Sequence, residues 1–211
     1  MGSQLPELSR EELRQGLRDI SPEPLGEAAL DALEVHYAEL ARWNPRLSLI
    51  GPGSATDLLA RHYGESLAAL PLLLPSDEVL LDVGSGAGFP GLVLAAARPR
   101  LHCVLTEGRQ KKWAFLATTA QRCGLSCTCL DARVEIPLPA ELPGRIDVVT
   151  SRAVKISPEI LEHLAKHSPG MRFLLWRGEA ELPLPRGYGV RRQLLLPGSR
   201  HRRIVEVSPC T

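Results

Sequence analysis

The residue types and spacing that point most clearly to chemistry lie in one short glycine-rich segment. Asp82 ends an apolar stretch, and Gly84, Gly86 and Gly88 follow it at alternate positions before Phe89. Glycine lets a backbone pass close to a ligand because it has no Cβ. The segment lies where an apolar stretch gives way to a helical one, which is where open parallel sheets bind ligands. The sequence therefore predicts a ligand-binding turn.

Two cofactor classes compete for this turn. A dinucleotide site needs the pattern G-x-G-x-x-G with a helix N-terminus facing a pyrophosphate, and Gly86, Gly88 and Gly91 match that pattern. The negative charge of Asp82 would oppose a pyrophosphate. It would favour S-adenosyl-L-methionine, which carries an ammonium and a sulfonium and no phosphate. The acid-first order thus favours S-adenosyl-L-methionine over a nicotinamide dinucleotide, and a purely structural turn is the third interpretation.

Glu107 supports a nucleoside ligand. It follows a second apolar stretch that ends at Thr106. A carboxylate there can accept hydrogen bonds from both ribose hydroxyls of an adenosyl group. Dinucleotide enzymes use an acid at this place too, so Glu107 does not choose between the two cofactors, and a solvated loop acid is the alternative.

The elements that must position these residues alternate along the chain. Strands are predicted at 79–83, 102–106, 126–130, 146–151 and 171–176, with helices at 90–97, 110–123 and 157–167 between them. Such alternation implies right-handed crossovers and a parallel, doubly wound sheet. The tail predicts two more strands, 188–196 and 201–207, as an antiparallel addition. The predicted fold class is α/β: a Rossmann-like sheet, mostly parallel, with an antiparallel last strand.

The first part of the chain is predicted to be helical. One helix begins near Ser9, a second spans 26–43 and is stopped by Pro45, and a third spans 54–70. We expect a single domain over residues 1–211. Within it, residues 1–75 would form a helical N-terminal extension and residues 76–211 a cofactor-binding α/β core.

The charged residues are distributed unevenly between the two halves of the chain. The net charge of the 211 residues is +1, but residues 1–105 carry a net −6 and residues 106–211 a net +7. An arginine-rich second half can meet a polyanion, although it can equally be a solvated surface.

No apolar run is long enough for a membrane span and the first residues do not resemble a secretory signal, so we expect a cytoplasmic protein. The five cysteines lack zinc-ligand spacing and predict reduced core thiols and no metal site.

Several ordered motifs resemble one known family. They are Trp43-Asn44 within a helix, Arg61-His62 followed by Ser66-Leu67, D-V-G-S-G-A-G-F-P-G at 82–91, Lys111-Lys112 with Phe115-Leu116, Arg133-Val134-Glu135 and Ser151-Arg152-Ala153, with a weaker match at Arg200-His201. This set is similar to the GidB/RsmG family of bacterial 16S ribosomal RNA guanine-N7 methyltransferases. Three positions depart from the family pattern: Glu65 for Asp, Arg177 for Lys, and Gly108 after the Glu107 carboxylate.

The resemblance implies a class I methyltransferase sheet and methyl transfer from S-adenosyl-L-methionine to N7 of a guanine. The substrate would be small-subunit ribosomal RNA or a ribosomal subunit precursor, and we expect a monomer. Cofactor contacts are implied at Gly84, Phe89, Val134, Glu135 and Arg152. Asp82, Gly86, Gly88 and Glu107 join them from the reasoning on the turn.

Because guanine N7 has a free lone pair and no proton, the reaction would need no general base. Arg152 is then the candidate to orient the reactants. The predicted RNA contacts are Arg61, His62, Lys111, Lys112, Arg177, Arg200 and Arg202. A small-molecule methyltransferase and a nicotinamide dinucleotide-binding module are the alternatives.

Overall fold

The computed structural model describes residues 4–152, 154–179 and 184–210, and the strands in these ranges form one sheet. The predicted strands and the helices that join them are present, with ends within two residues of those expected. The strands are β1 (Val79–Val83), β2 (His102–Thr106), β3 (Cys127–Leu130), β4 (Val148–Ser151), β5 (Arg172–Arg177), β6 (Tyr188–Leu195) and β7 (Arg203–Pro209).

The strand order is β3-β2-β1-β4-β5-β7-β6. Strands β1 to β5 are parallel, and β7 runs antiparallel between β5 and β6. This order confirms the predicted Rossmann-like α/β sheet with an antiparallel addition. In the β1–β2 register Val83 lies opposite Thr106, so the glycine turn and Glu107 leave the sheet side by side at its carboxyl edge.

The crossover helices are α5 (Gly91–Ala97), α6 (Gln110–Arg122) and α7 (Pro158–His167). Before the sheet lie α1 (Arg10–Ile20), α2 (Glu27–Leu47), α3 (Ala55–Leu58), a π-helical segment (Leu59–Gly64), α4 (Glu65–Leu67) and a 3₁₀ turn (Leu70–Leu72). The helical part therefore ends seven residues before β1 begins. Whether residues 1–75 are an extension of one domain stays a prediction.

The sheet separates two apolar layers. Successive strand residues alternate between them, as pleating requires: Leu80 packs in one layer and Leu81 in the other. The larger layer holds α1, α2, the segment 58–73, α5 and α6. The smaller layer lies under α7. The N-terminal helices thus pack on the face that α5 and α6 cover, and they reach the carboxyl edge of β1.

The expectation that Pro45 stops the second helix is wrong, because α2 continues to Leu47. Proline costs the helix one backbone hydrogen bond, but the turn around it is held by Asn44, which is completely buried. Its backbone oxygen accepts the N–H of Ser48 at 2.9 Å, and its side-chain oxygen accepts the N–H of Ile50 at 2.9 Å. Ser48 then takes a left-handed conformation that ends the helix.

The predicted helix over 54–70 is present over residues 55–67, but it is not α-helical throughout. The segment changes from α to π at Leu59 and returns to α at Glu65. The π turn offers two backbone oxygens to an arginine from a distant strand, since Arg152 Nη1 donates to the carbonyls of Arg61 (2.9 Å) and His62 (3.4 Å). A local sequence pattern carries no sign of that contact. Single π turns of this kind occur often at functional sites.

Candidate active site

The glycine turn after β1 is held in a shape that only glycine adopts easily. Gly84, Gly86 and Gly88 have φ angles of +73°, +56° and +91°. A Cβ at Gly84 would lie 2.4 Å from Cγ2 of Val154. The N–H of Ser85 donates to the Thr106 carbonyl at 2.8 Å and fixes the turn against β2. The backbone is therefore left open on the side away from the sheet.

A cavity of about 740 Å³ lies on that open side, and we call it the glycine-turn cavity. It is large enough for a nucleoside-sized ligand. Among the predicted cofactor residues, those that line it are Gly84, Gly86, Phe89, Glu107, Val134, Glu135 and Arg152. They come from four separate parts of the chain, which meet here because the parallel strands all end at this edge.

Glu107 lies at the end of β2 with one carboxylate oxygen committed and the other directed to the turn. Oε1 accepts the N–H of Arg109 at 2.8 Å. A Cβ at Gly86 would lie 3.9 Å from Oε2. The backbone of the turn at Gly86 therefore lies close to the Glu107 carboxylate, with no side chain between them. This geometry suits a carboxylate that accepts hydrogen bonds from a pair of ribose hydroxyls.

Asp82 does not line the cavity, which corrects the expectation that its charge faces the ligand. Its side chain is fully buried. Oδ2 accepts the N–H of Gly91 at 3.1 Å, and Oδ1 accepts the hydroxyl of Thr150 at 2.8 Å. Burial raises the pKa of Asp82, while these hydrogen bonds act in the opposite direction. The strand places the carboxylate under the turn, where it caps α5.

The same contact bears on the dinucleotide alternative. In that class of site a pyrophosphate takes the N–H groups at the start of the helix after the turn. Here the first N–H of α5, that of Gly91, already donates to a carboxylate. Gly88, also predicted to bind cofactor, faces the protein, because a Cβ there would lie 2.4 Å from Cδ1 of Leu92. The glycines at 88 and 91 serve packing.

Phe89 is the centre of an aromatic cluster that joins the turn to the N-terminal helices. Its ring centroid lies 5.0 Å from that of His36, 5.1 Å from Tyr63 and 5.2 Å from His62. His36 is buried; its Nε2 donates to the carbonyl of Ala87 at 2.8 Å, and its Nδ1 accepts the hydroxyl of Tyr63 at 3.0 Å. Helix α2 thus holds the glycine turn by a hydrogen bond and by ring contacts.

Both histidines of this cluster are neutral at physiological pH. Burial lowers the pKa of His36 to about 4, opposed by its hydrogen bond to Ala87. Burial and the neighbouring charge of Arg152 lower the pKa of His62 to about 4. Neither imidazole carries a proton that it could donate as an acid near pH 7.

Arg152 lies between the glycine-turn cavity and a second cavity. Its guanidinium carbon is 5.1 Å from the Phe89 ring centroid, a cation–π arrangement. Burial lowers its pKa to about 10, opposed by the charges of Glu65 and Asp82, so it stays protonated at pH 7. Its donors bind the π segment described above. Arg152 therefore has two roles: it fixes the position of Arg61 and His62, and it lines both cavities.

The second cavity has a volume of about 470 Å³, and we call it the arginine cavity. Four of the residues predicted to bind RNA line it, namely Arg61, His62, Arg177 and Arg202. It shares Ile50, Gly51, His62 and Arg152 with the glycine-turn cavity. The two spaces meet along that shared wall.

The remaining predicted RNA residues are placed elsewhere. Lys112 lines the glycine-turn cavity, whereas Lys111 and Arg200 are exposed and line neither cavity. Glu135 is exposed and pairs with Arg133 at 3.8 Å. Ala153, the last residue of the Ser151-Arg152-Ala153 motif, lies outside the described residues.

A comparison with protein families decides the relationship of the chain. The family model described as GidB, rRNA small subunit methyltransferase G, matches residues 29–183. The chain belongs to the GidB family. The match includes both the glycine turn and the π segment, and it ends in the undescribed stretch 180–183.

Curated relatives agree with this membership. A protein from Hyphomonas neptunium named ribosomal RNA small subunit methyltransferase G is 39% identical over 136 residues, 64% of this chain and 63% of the relative. One of the same name from Methylobacterium radiotolerans is 34% identical over 181 residues, 85% of this chain and 81% of the relative. The chain spans about three fifths of the length of the first curated GidB relatives that it matches.

Solved structures support the same fold. A methyltransferase from Aquifex aeolicus described as S-adenosylmethionine-dependent superposes with a TM-score of 0.55 at 15% identity, covering 73% of this chain and 93% of that one. A mutant of MtNAS in complex with S-adenosylmethionine gives 0.59 at 13% identity, with 96% and 78% covered. This GidB chain therefore has the fold of that group of enzymes.

The sequence did not indicate several residues that build the GidB site. His36 and Tyr63 hold the turn from 51 and 26 residues away along the chain, and Trp176 closes the arginine cavity. Ile50 and Gly51 lie in a loop and have no polar or reactive side chain that would mark them as site residues. The nearest signal was their place between the Trp43-Asn44 and Arg61-His62 motifs.

Two further findings concern other kinds of site. Within residues 4–152, 154–179 and 184–210, no group of three histidine, cysteine, aspartate or glutamate side chains is arranged to hold a metal ion. No helix in that part of the chain is long and apolar enough to cross a membrane.

Proposed function

We propose that this chain is an S-adenosyl-L-methionine-dependent methyltransferase that modifies N7 of a guanine in small-subunit (16S) ribosomal RNA. It would act in the cytoplasm, as a monomer, on the RNA or on a ribosomal subunit precursor. Family membership, the fold and the two adjoining cavities support this proposal. The observation that carries it is that Gly84, Gly86 and Glu107 line one cavity at the carboxyl edge of β1 and β2.

The residues of the glycine-turn cavity fit the cofactor. Glu107 would accept the ribose hydroxyls, the Val134–Glu135 backbone would border the adenine, and Gly84 and Phe89 would border the amino-acid end. When bound, S-adenosyl-L-methionine supplies an electrophilic methyl group on a sulfonium. The carboxylate of Asp82 supports this arrangement from beneath by fixing the start of α5.

The reaction requires little proton chemistry from the protein. With the cofactor bound, the N7 lone pair would form the bond to the methyl carbon, and the electron pair of the broken methyl–sulfur bond would stay on sulfur, so the positive charge would pass to the purine. No proton is transferred, which agrees with neutral His36 and His62 beside the site. Holding the reacting atoms in line is the main task, and proximity of this kind can contribute about 7–11 kcal/mol.

Methyl transfer to ribosomal RNA tests the proposal directly. Purified protein would be incubated with labelled S-adenosyl-L-methionine and small ribosomal subunits or 16S RNA from a strain that lacks the corresponding gene. Nucleoside mass spectrometry should then detect 7-methylguanosine. Wild-type subunits, already modified, provide the control and should accept no label.

The same assay separates the alternatives. Label transferred to a panel of metabolites and not to RNA would identify a small-molecule methyltransferase. Calorimetric titration that shows binding of NAD(H) and none of S-adenosylhomocysteine would identify a nicotinamide-binding module. Either result would overturn the proposal.

A further inference from the structure

The arginine cavity contains a buried carboxylate that the methyl-transfer chemistry above does not use. Glu65 lines this cavity and is only 5% exposed. The charged residues around it comprise four arginines and one other carboxylate, namely Arg61, Arg152, Arg177, Arg202 and Asp57. The cavity as a whole therefore has a net charge of +2 and one acceptor group set into its wall.

Glu65 is held in place from three parts of the fold. Its backbone carbonyl accepts Nε1–H of Trp176, on β5, at 2.9 Å. Its Oε1 accepts a hydrogen bond from Nη1 of Arg202, and its Oε2 lies 3.9 Å from Nη1 of Arg152. A carboxylate has about four acceptor positions, so these contacts leave acceptor capacity on the cavity side while the side chain stays fixed.

A carboxylate held in this way suits one particular pattern of hydrogen-bond donors on a ligand. Two adjacent N–H donors that point the same way can bond both oxygens at once. Among the four RNA bases, guanine alone presents that pair, N1–H and the 2-amino group, on its Watson–Crick edge. Adenine, cytosine and uracil each place an acceptor beside their donor. A pocket that satisfies a buried polar group only with the correct base discriminates strongly against the others.

We propose that the arginine cavity holds the acceptor guanine and that Glu65 recognises its Watson–Crick edge. This inference rests on the proposed function and names the substrate contact that the sequence left open. N7 lies on the neighbouring edge of the base, which faces the shared wall of His62 and Arg152. The other arginines of the cavity meet the phosphate of the same nucleotide. As positive charge develops on the purine, the hydrogen bond that its N1–H donates to the Glu65 carboxylate strengthens. Glu65 therefore stabilises the transition state more than it stabilises the bound guanine.

Binding of mononucleotides tests this contact apart from ribosomal RNA. Protein saturated with S-adenosylhomocysteine would be titrated with GMP, with IMP, which lacks the 2-amino group, and with AMP. Wild-type protein should bind GMP about 10-fold or more tightly than IMP, and AMP should bind more weakly still. In Glu65→Gln the GMP affinity should fall about 10- to 100-fold and the preference over IMP should largely disappear. Gln keeps an oxygen for Arg202, which favours folding of the variant.

Methyl transfer provides the second readout. On small-subunit RNA, Glu65→Gln should lower kcat and raise KM, because the carboxylate acts in both the bound and the transition state. Affinity for S-adenosylhomocysteine should stay at the wild-type value. Glu23→Gln is the control: it alters a half-buried glutamate–arginine pair, with Arg98, away from both cavities, and should change none of these quantities.

The outcomes separate this inference from the proposed function. Equal affinity of wild-type protein for GMP and IMP, or no GMP binding at all, overturns the role of Glu65 whether or not the variant folds. An equal loss of GMP and IMP affinity in Glu65→Gln also overturns it, since a structural role acts on both ligands. Failure to methylate small-subunit RNA with guanine-selective binding intact would instead overturn the proposed RNA substrate.

Discussion

At the scale of single residues, Asp82 gives the clearest example of a side chain whose work is to support other groups. Both of its oxygens are bonded to protein groups, the N–H of Gly91 and the hydroxyl of Thr150. The acid before the glycines therefore acts through the backbone of the turn. Glu107, one strand away, has the opposite character, because it lines the glycine-turn cavity itself.

Two replacements of Asp82 separate the effect of its hydrogen bonds on stability from the effect of its charge. Asp82→Ala leaves a buried N–H and a buried hydroxyl without their partner, so the free energy of unfolding should fall by about 2–4 kcal/mol. Asp82→Asn keeps an oxygen that accepts the N–H of Gly91, and its amide N–H can donate to the hydroxyl oxygen of Thr150, so this variant should lose less than half as much. Urea unfolding measures both. Equal losses in the two variants would show that the carboxylate charge itself matters.

At the scale of elements, the π segment and strand β4 depend on each other. Arg152 follows β4 and supplies the donors for two carbonyls of Leu59–Gly64, which brings Arg61 and His62 to the cavities. In the proposed reaction Arg152 would therefore act as a positioning residue. Its cation also covers the face of Phe89.

Arg152→Ala should therefore remove methyl transfer while the protein stays folded. We expect kcat to fall at least about 100-fold, because misplacement of reacting groups by about 1 Å has effects of this size. Affinity for S-adenosylhomocysteine should fall less. Circular dichroism checks the fold, and Arg18→Ala, at an exposed pair with Glu27 away from both cavities, is the control. Wild-type turnover by Arg152→Ala would remove this role.

His36 links α2 to the turn in a way that depends on pH. Its folded-state pKa of about 4 lies below the ordinary value of 6.5. A depressed histidine pKa means that the unfolded chain binds the proton first. Its stabilising contribution is therefore complete above pH 6.5 and is lost as the pH falls towards 4. Per proton, the free energy of unfolding should fall by about 1.4 kcal/mol for each pH unit.

Thermal or urea unfolding across pH 4 to 7 measures that slope. His62 has the same direction of shift, so the wild-type slope should approach two protons. His36→Gln, which keeps a donor for Ala87, should reduce the slope by one proton. An unchanged slope in the variant would assign the acid sensitivity to other groups.

These elements also show what sequence patterns can and cannot predict. The strands 79–83 and 102–106 were predictable because short apolar runs and glycine turns are local signals. The spacing of Asp82, the glycines and Glu107 then placed the cavity, since parallel strands end at one edge. Pro45 and the π segment were misjudged because contacts from Asn44 and Arg152 override local preference. The pair of Glu65 and Arg202, 137 residues apart, has no local signature at all.

At the scale of the whole molecule, only some of the basic side chains from the second half of the chain lie at the two cavities. Arg177 and Arg202 join Arg61 from the first half around the arginine cavity, and Lys112 lies at the glycine-turn cavity. Lys111 and Arg200 are exposed outside both. An RNA held at the cavities would meet cations on two sides of the bound base.

This distribution predicts a salt dependence that single variants can dissect. Affinity for small-subunit RNA should fall steeply with salt, since each phosphate contact contributes about −0.7 to −0.9 to the slope of log K against log salt. Lys112→Gln should reduce that slope by about one contact. Lys166→Gln, at an exposed pair with Glu162 on α7, should leave it unchanged. Filter binding from low to moderate salt gives the slopes, and a flat wild-type response would exclude this face as the RNA platform.

The wall common to the two cavities has an energetic consequence. Arg152 and His62 border both spaces, so a ligand in either one that moves the guanidinium alters the other space as well. Thermodynamic linkage then demands reciprocity: the factor by which the first ligand changes the dissociation constant of the second equals the factor in the reverse direction. Ligands in the two cavities would be coupled through the side chains of Arg152 and His62, and the sign of that coupling fixes whether each binds more tightly or more weakly once the other is present.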